Sequence, residues 1–341
     1  MRDASTHNHK APVRVLFFVW GGIGNMVMAL PAIDSAIGRN GQRKVMVAAQ
    51  KPEMLELLYG RDLAGRLVMD SLDSFQNARR FGPQVAINTV PSPRLRGGLW
   101  ALLSGAGIRI SSRQFAGPFI NHPLPDTRGH FSQMNHDLLS PLGIQERAEY
   151  PRLMVNPAWN RPAEDLLRQF NIGAQHKLAG LHPGAGQAMK RWSLGNFAEV
   201  GRQLAKRGYR IIVLGGPEEV LLAAEVARQI GSGAVSAAGR GGLGLALALI
   251  SRCRVVISND SGLAHCSAAL GVPTVSVFGP TDPEKCAPLG PRATYIRSQR
   301  SCAPCYRPPG FYGCRECPPP CLDITPERLL TEVDKLTKKN E

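Results

Sequence analysis

Short apolar runs rich in β-branched residues alternate with amphipathic stretches along most of the chain. In the first half, Val13 to Trp20, Val45 to Ala49, Arg66 to Met69, Val85 to Asn88 and Ile108 to Ile110 read as buried strands. Between them, Met26 to Ile37, Pro52 to Tyr59, Ser71 to Phe81 and a segment ending at Ala101 to Gly105 read as helices. Pro31 is expected to kink the first of these. A further helix falls within Asp126 to Gly143 and carries His130, His136 and Asp137. In the second half, Leu178 to His182, Tyr209 to Leu214, Arg254 to Ile257 and Thr274 to Phe278 read as strands. Helices are expected over Glu164 to Phe170, Phe197 to Arg207, Leu243 to Ile250 and Leu263 to Leu270. This alternation predicts an α/β fold whose parallel sheets are wrapped on both faces.

The irregular, proline-bearing stretch from Pro151 to Pro162 divides the pattern in two, and 341 residues suffice for two domains. The expected layout is an unstructured 1–12, a first domain over 13–155 and a second over 156–322. A C-terminal helix over 323–341 is placed to pack back on the first domain.

Charge narrows the partners. The net charge is +15, with 17 Lys and Arg against 11 Asp and Glu in residues 1–150 and 24 against 15 in the rest. An excess spread in this way suits an anionic substrate or a membrane surface. Nucleic acid is disfavoured, because aromatics make up only 6% and no finger, helix-turn-helix or RNA-binding signature occurs. No apolar run is long enough to cross a bilayer. Val13 to Leu30 superficially resembles a signal peptide, but Gly21-Gly22 and Gly24-Asn25 interrupt it, as a strand–turn–helix would. The expectation is a cytoplasmic protein, able to touch a membrane from the cytoplasmic side.

The candidate chemistry sits at strand ends. Ser258-Asn259-Asp260-Ser261-Gly262 joins a strand to a helix, and the free amides and positive dipole end of that helix suit a phosphate. Asp260 is expected beside the phosphates, on sugar hydroxyls or the rim. Pro183-Gly184-Ala185-Gly186 forms a second loop, with Lys190 behind it as a partner for a diphosphate and Ser193 as a helix cap. Gly215-Gly216-Pro217-Glu218-Glu219 forms a third, whose carboxylate can take two ribose hydroxyls. Each loop alone has an ordinary packing explanation. Together they describe one pocket for a nucleoside diphosphate. In the first half, Gly21-Gly22-Ile23-Gly24-Asn25 is a glycine-rich turn that departs from the dinucleotide fingerprint, so a nicotinamide cofactor is disfavoured. Arg79, Arg80, Arg94, Arg96, Arg113 and Arg128 fall in or near loops of this half and could pair with phosphate.

These residues resemble the ADP-heptose:lipopolysaccharide heptosyltransferases over roughly residues 13 to 335. The resemblance is carried by His182-Pro183-Gly184-Ala185-Gly186 with Lys190-Arg191-Trp192-Ser193-Leu194. It extends to Asn259-Asp260-Ser261-Gly262-Leu263-Ala264-His265 and Phe278-Gly279-Pro280-Thr281-Asp282-Pro283. Gly22-Ile23-Gly24-Asn25 with Leu30-Pro31-Ala32 is similar in form to the family's opening motif. The resemblance implies a GT-B architecture, two Rossmann-like domains facing a cleft, with the donor on the second and the acceptor on the first. It implies inversion at the anomeric centre without a metal. Donor contacts would come from Gly22, Gly24, Gly184, Gly186, Lys190, Gly216, Glu219 (or Glu218), Asp260, Ser261, Gly262 and His265. Arg94, Arg96 and Arg128 are candidates for the acceptor. The implied donor is ADP-heptose and the implied acceptor an anionic envelope glycolipid. One residue departs from the pattern. Asn25 stands where the family's aspartate, the expected general base, is found, and an amide cannot take a proton at neutral pH. His130, Asp126 and Asp137 are alternative bases, and Asp34 lies too far along the helix.

Five cysteines cluster late in the chain. Cys302 and Cys305, Cys314 and Cys317, and Cys321 have spacing suited to structural zinc or iron. Some relatives use such cysteines for iron, and the alternative is a proline-rich loop of reduced or oxidised thiols. Three functions follow as expectations: heptose transfer to an envelope glycan, transfer to a protein or small molecule, or sugar-nucleotide binding without catalysis.

Overall fold

The computed structural model describes residues 11–38, 42–307, 310–311, 314 and 319–338. The first unit contains β1 (Val13–Val19), α1 (Ile23–Ile37), β2 (Arg43–Ala49), β3 (Gly65–Val68), α2 (Leu72–Phe81), β4 (Val85–Asn88), α3 (Arg94–Leu103), β5 (Ile108–Ser112), β6 (His122–Leu124) and α4 (Phe131–Asp137). Its six strands are parallel, in the order β3-β2-β1-β4-β5-β6. The second unit contains α5 (Asn160–Gln169), β7 (Lys177–His182), α6 (Leu194–Lys206), β8 (Tyr209–Val213), α7 (Val220–Ile230), β9 (Ala234–Ser236), α8 (Leu243–Ser251), β10 (Val255–Asn259), α9 (Gly262–Ala269), β11 (Thr274–Phe278), α10 (Pro283–Cys286), β12 (Ala293–Arg297) and α11 (Pro326–Thr337). Its strands run β12-β11-β10-β7-β8-β9, again all parallel.

Both sheets follow the same winding rule. In each, the chain starts at a central strand, works outward on one side, then returns to the other. The order therefore reverses between β1 and β4 and between β7 and β10, and crevices open at those switch points. The turn after β1 and the loops after β7 and β10 stand there. β10 shows why the chain takes this path: Val255 to Asn259 is wholly buried, and Ser261 then caps α9 by accepting from the Ala264 amide at 3.4 Å.

In the stretch between the two sheets the Leu153 amide donates to Ala269 O at 3.0 Å, and helix begins earlier than the expected Glu164, with a 3-10 turn at Pro157–Trp159 leading into α5. Four further expectations need correction. The C-terminal helix α11 does not pack back on the first domain: Leu329, Leu330 and Val333 lie in the second domain's core with Phe197 and Val275. Helix α1 begins three residues before the expected Met26 and continues through Pro31. The ring costs one backbone donor, while burial of Leu30, Ala32 and Ile33 holds the helix. Pro52–Leu58 is a 3-10 helix. Strands β6, β9 and β12 were not anticipated, being short edge strands with little apolar pattern of their own.

Candidate active site

The second domain's three loops are joined by side chains at the ends of β7, β8 and β10. His182, the last residue of β7, is 4% exposed. Its Nε2 lies 3.0 Å from Glu219 Oε2, and its Nδ1 lies 3.0 Å from Ser261 Oγ and 3.2 Å from Ser258 Oγ. Glu219 Oε2 also accepts from the Gly216 amide at 2.9 Å. Burial works to raise the Glu219 pKa, but the His182 hydrogen bond and charge and the Gly216 amide outweigh it and hold the carboxyl below its ordinary range. With the carboxylate ionised, Nε2 donates to it. Nδ1 is then left to meet the hydroxyls that cap α9.

Asn259 makes a second set of ties. Its Nδ2 donates to Pro183 O at 2.8 Å and Gly184 O at 3.2 Å, and its Oδ1 accepts from the Trp192 amide at 2.9 Å. The Gly184 loop is thereby fixed against β10. Lys190 Nζ donates to Asp260 Oδ2 at 2.7 Å, with both side chains mostly buried. A cation and a carboxylate thus meet at the mouth of α9. His182 and Asn259 were missed as site residues in the sequence. The signal available was a polar, buried residue at the end of a mostly apolar strand, seen twice.

The first domain meets this pocket through α1. A Cβ built on Gly24 would lie 2.9 Å from His265 Cδ2, and one on Gly262 would lie 2.7 Å from Ile23 Cβ. The first turns of α1 and α9 are therefore in glycine-mediated contact. His265 is buried, and burial drives its pKa from 6.5 down to about 4. Asp260 pulls the other way, while His130 and Lys190 add to the fall. The imidazole is neutral at pH 7, so it can offer a hydrogen bond but no charge.

Asn25 sits in the first turn of α1, with Nδ2 donating to Trp20 O at 2.9 Å. Gly21, at φ 85°, lies under that side chain in a conformation glycine adopts without strain, and its amide donates to Gln50 Oε1 at 2.6 Å. The alternative bases are engaged elsewhere. Asp126 accepts from Ser112 Oγ and from the Gln114 amide, and Asp137 from Gln133 Nε2. His130 caps α4 through Nδ1, and its Nε2 lies 2.8 Å from Ala287 O. Burial lowers its pKa, against that hydrogen bond and with Arg147. Asp34 faces away, in a two-pronged pair with Arg61 at 2.6 and 3.0 Å.

Among the remaining candidates, Arg96 lies over the Trp20 ring with its Cζ 5.8 Å from the centroid, beside the first switch point. Arg94 Nε donates to Ala116 O, and Arg128 is exposed. No described atom lies within 4 Å of a Cβ built on Gly22 or Gly186, whereas Gly184 sits directly against the Glu219 carboxylate. Glu219 faces inward to His182, and the neighbouring Glu218 is exposed with its carboxylate over Gly216.

Of the late cysteines, Cys302 and Cys314 are exposed, Cys305 is half-buried and Cys321 is buried. Burial first, and neighbouring thiols second, push up Cys305 and carry Cys321 to about 11. Cys317 lies outside the described residues. Among the described residues, no three His, Cys, Asp or Glu side chains are placed to hold a metal ion, and the expected zinc or iron centre has no support here.

Two six-stranded parallel sheets, each with loops gathered at its switch point, define a two-domain Rossmann-type architecture. The family model described as glycosyltransferase family 9 (heptosyltransferase) matches residues 103–314, and the chain belongs to that family. Lipopolysaccharide heptosyltransferase 2 of Escherichia coli K12 is 27% identical over 252 residues, 64% of this chain and 71% of that protein. The enzyme of the same name from Salmonella typhimurium is 32% identical over 173 residues, and the match spans 49% of each chain. The solved E. coli ADP-heptose lps heptosyltransferase II superimposes with a TM-score of 0.76 at 22% identity, covering 96% of this chain and 99% of that one. The fold is thus GT-B. No helix among the described residues is long and apolar enough to cross a membrane.

Proposed function

We propose that this protein transfers a heptose from ADP-heptose to a lipopolysaccharide core sugar, with inversion, the donor lying at the β7–β10 switch point. The observation that carries the reading is the joining of three strand-end loops through His182, with Lys190 and Asp260 paired at their centre. On this reading Lys190 and the first-turn amides of α9 take the diphosphate and stabilise the charge that develops on it as the glycosidic bond breaks. Asp260 turns to the donor sugar's hydroxyls. The ribose is held at the Gly216–Glu219 turn, where Glu219 is already committed to His182 and Glu218 is the carboxylate facing out. Supporting the donor and acceptor assignments are the names of the related E. coli proteins, an ADP-heptose transferase acting on lipopolysaccharide.

A second reading is favoured by one observation, the Asn25 amide bonded to Trp20 O. A residue committed in this way, and unable to take a proton, suits a sugar-nucleotide-binding relative without transfer. Calorimetric titration of ADP, UDP and GDP, followed by transfer assays with lipopolysaccharide lacking its heptose, tests both. Preferential ADP binding with transfer supports the first reading. ADP binding without transfer supports the second. Absence of binding by any of the three overturns both.

A further inference from the structure

Helix α3 buries its smallest side chains and exposes its largest. Gly97, Gly98 and Ala101 face the sheet. They are held close: a Cβ on Gly98 would lie 3.3 Å from Phe119 Cβ, and one on Gly97 3.2 Å from Asn88 Oδ1. Trp100 stacks on Phe75 with centroids 3.9 Å apart, which ties α3 to α2. The opposite face carries Leu95, Leu99, Leu102 and Leu103, exposed to 61, 39, 39 and 42%. Positions spaced by four, three and one form a single helical stripe. A scattered surface leucine needs no explanation, whereas a stripe of four on one ten-residue helix does.

The charge around that stripe is predominantly positive. Between Asp73 in the first turn of α2 and Asp126 after β6, the chain contains six arginines, no lysine, and neither Asp nor Glu. Arg79 and Arg80 at the end of α2, Arg94 and Arg96 at the start of α3, and Arg113 after β5 are exposed. An apolar stripe flanked by cations, with no carboxylate in the segment, fits the boundary between headgroups and acyl chains of an anionic bilayer. Arginine stems can lie along such a boundary with their guanidinium groups at phosphate level.

We propose that the outer face of α3, with its flanking arginines, docks the first domain on an anionic lipid surface. The inference rests on the reading of a membrane-borne acceptor, and it places the α3 N-terminus, at the first switch point, toward that acceptor. Its test does not require transfer. The full-length protein would be sedimented with phosphatidylcholine vesicles, with and without phosphatidylglycerol. The variant Leu99→Ser/Leu102→Ser/Leu103→Ser would be run beside it, and Arg79→Ser/Arg80→Ser as a charge variant. ADP titration of each checks that the second domain is intact and the fold retained.

The expected result is binding to phosphatidylglycerol vesicles that weakens with salt. It should fall by about tenfold or more in the leucine variant and by a smaller factor in the arginine variant, with ADP binding unchanged. Equal binding by wild type and leucine variant overturns the proposal, as does no binding by wild type. A wild type that is dimeric without lipid, and made monomeric by the leucine changes, also overturns it and makes the stripe a self-association face. Failure of ADP binding in the wild type would instead count against the donor-site reading and leave the vesicle result interpretable.

Discussion

Lys190 and Asp260 neutralise each other across 2.7 Å at the mouth of α9, with the lysine side chain 18% and the aspartate side chain 8% exposed. Each group proposed to contact donor is thus engaged by the other before donor arrives. Binding must exchange that pair for a lysine–phosphate and an aspartate–hydroxyl contact. The two substitutions should therefore differ in kind. Lys190→Ala removes a charge-assisted bond to phosphate, worth about 1.5–3 kcal/mol, and should weaken ADP by about ten- to a hundredfold. Asp260→Asn removes the carboxylate charge that competes with phosphate for the lysine, so ADP should bind at least as tightly while transfer falls by about a hundredfold or more. Calorimetry and a transfer assay on both variants check this, and equal losses of ADP affinity would contradict it.

Asn25 donates to Trp20 O, and a carboxylate in its place would be repelled by that carbonyl. Asn25→Asp should cost about 1 kcal/mol of stability and release the side chain from the turn. If proton transfer limits turnover, the same change should raise the rate, by up to about a hundredfold. Thermal melting and transfer rate, measured together, read the two effects separately. A lowered melting temperature with an unchanged rate would place the base elsewhere.

Gly24 has no room for a methyl group beside His265, whose Cδ2 would lie 2.9 Å from the new Cβ. Gly24→Ala gains about 1 kcal/mol of helix propensity but forces apart two closely packed, partly buried first turns, so a net loss of about 1–2 kcal/mol is expected. Pairing it with His265→Ala should recover part of that loss, since the two changes share one contact. Denaturant unfolding of the single and double variants gives the coupling.

His265 gives a pH dependence with a definite sign. Its pKa falls from 6.5 to about 4 on burial, so between those values the unfolded chain binds more protons than the folded one. Stability then rises with pH through that window and is lost as pH falls, by up to about 3 kcal/mol from this group. Glu219, held below its ordinary carboxylate range, acts in the same direction at lower pH: its contribution is present above that range and is lost as pH falls through the depressed value. The denaturation midpoint of His265→Gln should vary less between pH 6.5 and 4 than that of wild type.

The periodic strands and the loops that follow them were legible because parallel strands buried on both faces are written as continuous apolar runs. Val85–Asn88 and Thr274–Phe278 match their expected limits to the residue. Edge strands such as Ala234–Ser236 are written in a weaker pattern, set by pairing with a neighbour. At the site, the loops were legible and their fasteners were not. His182 and Asn259 reveal their role only when β7, β8 and β10 lie side by side. The contact between Gly24 and His265 depends on how the two domains face each other, which no local pattern encodes. Helix α11 shows the same limit, since a C-terminal helix was expected and the layer that receives it was not.

Where α1 and α9 meet, Gly24 lies against the His265 ring and Gly262 against the Ile23 side chain, so each glycine makes room for a side chain of the other domain. The contact continues into a wider seam, where Met28 packs with Phe278 and Cys286 and the Leu153 amide donates to Ala269 O. The ends of α1 and α9 at Asn25 and Asp260 are thereby held to one another, and two missing Cβ atoms set the spacing between the two halves of the cleft.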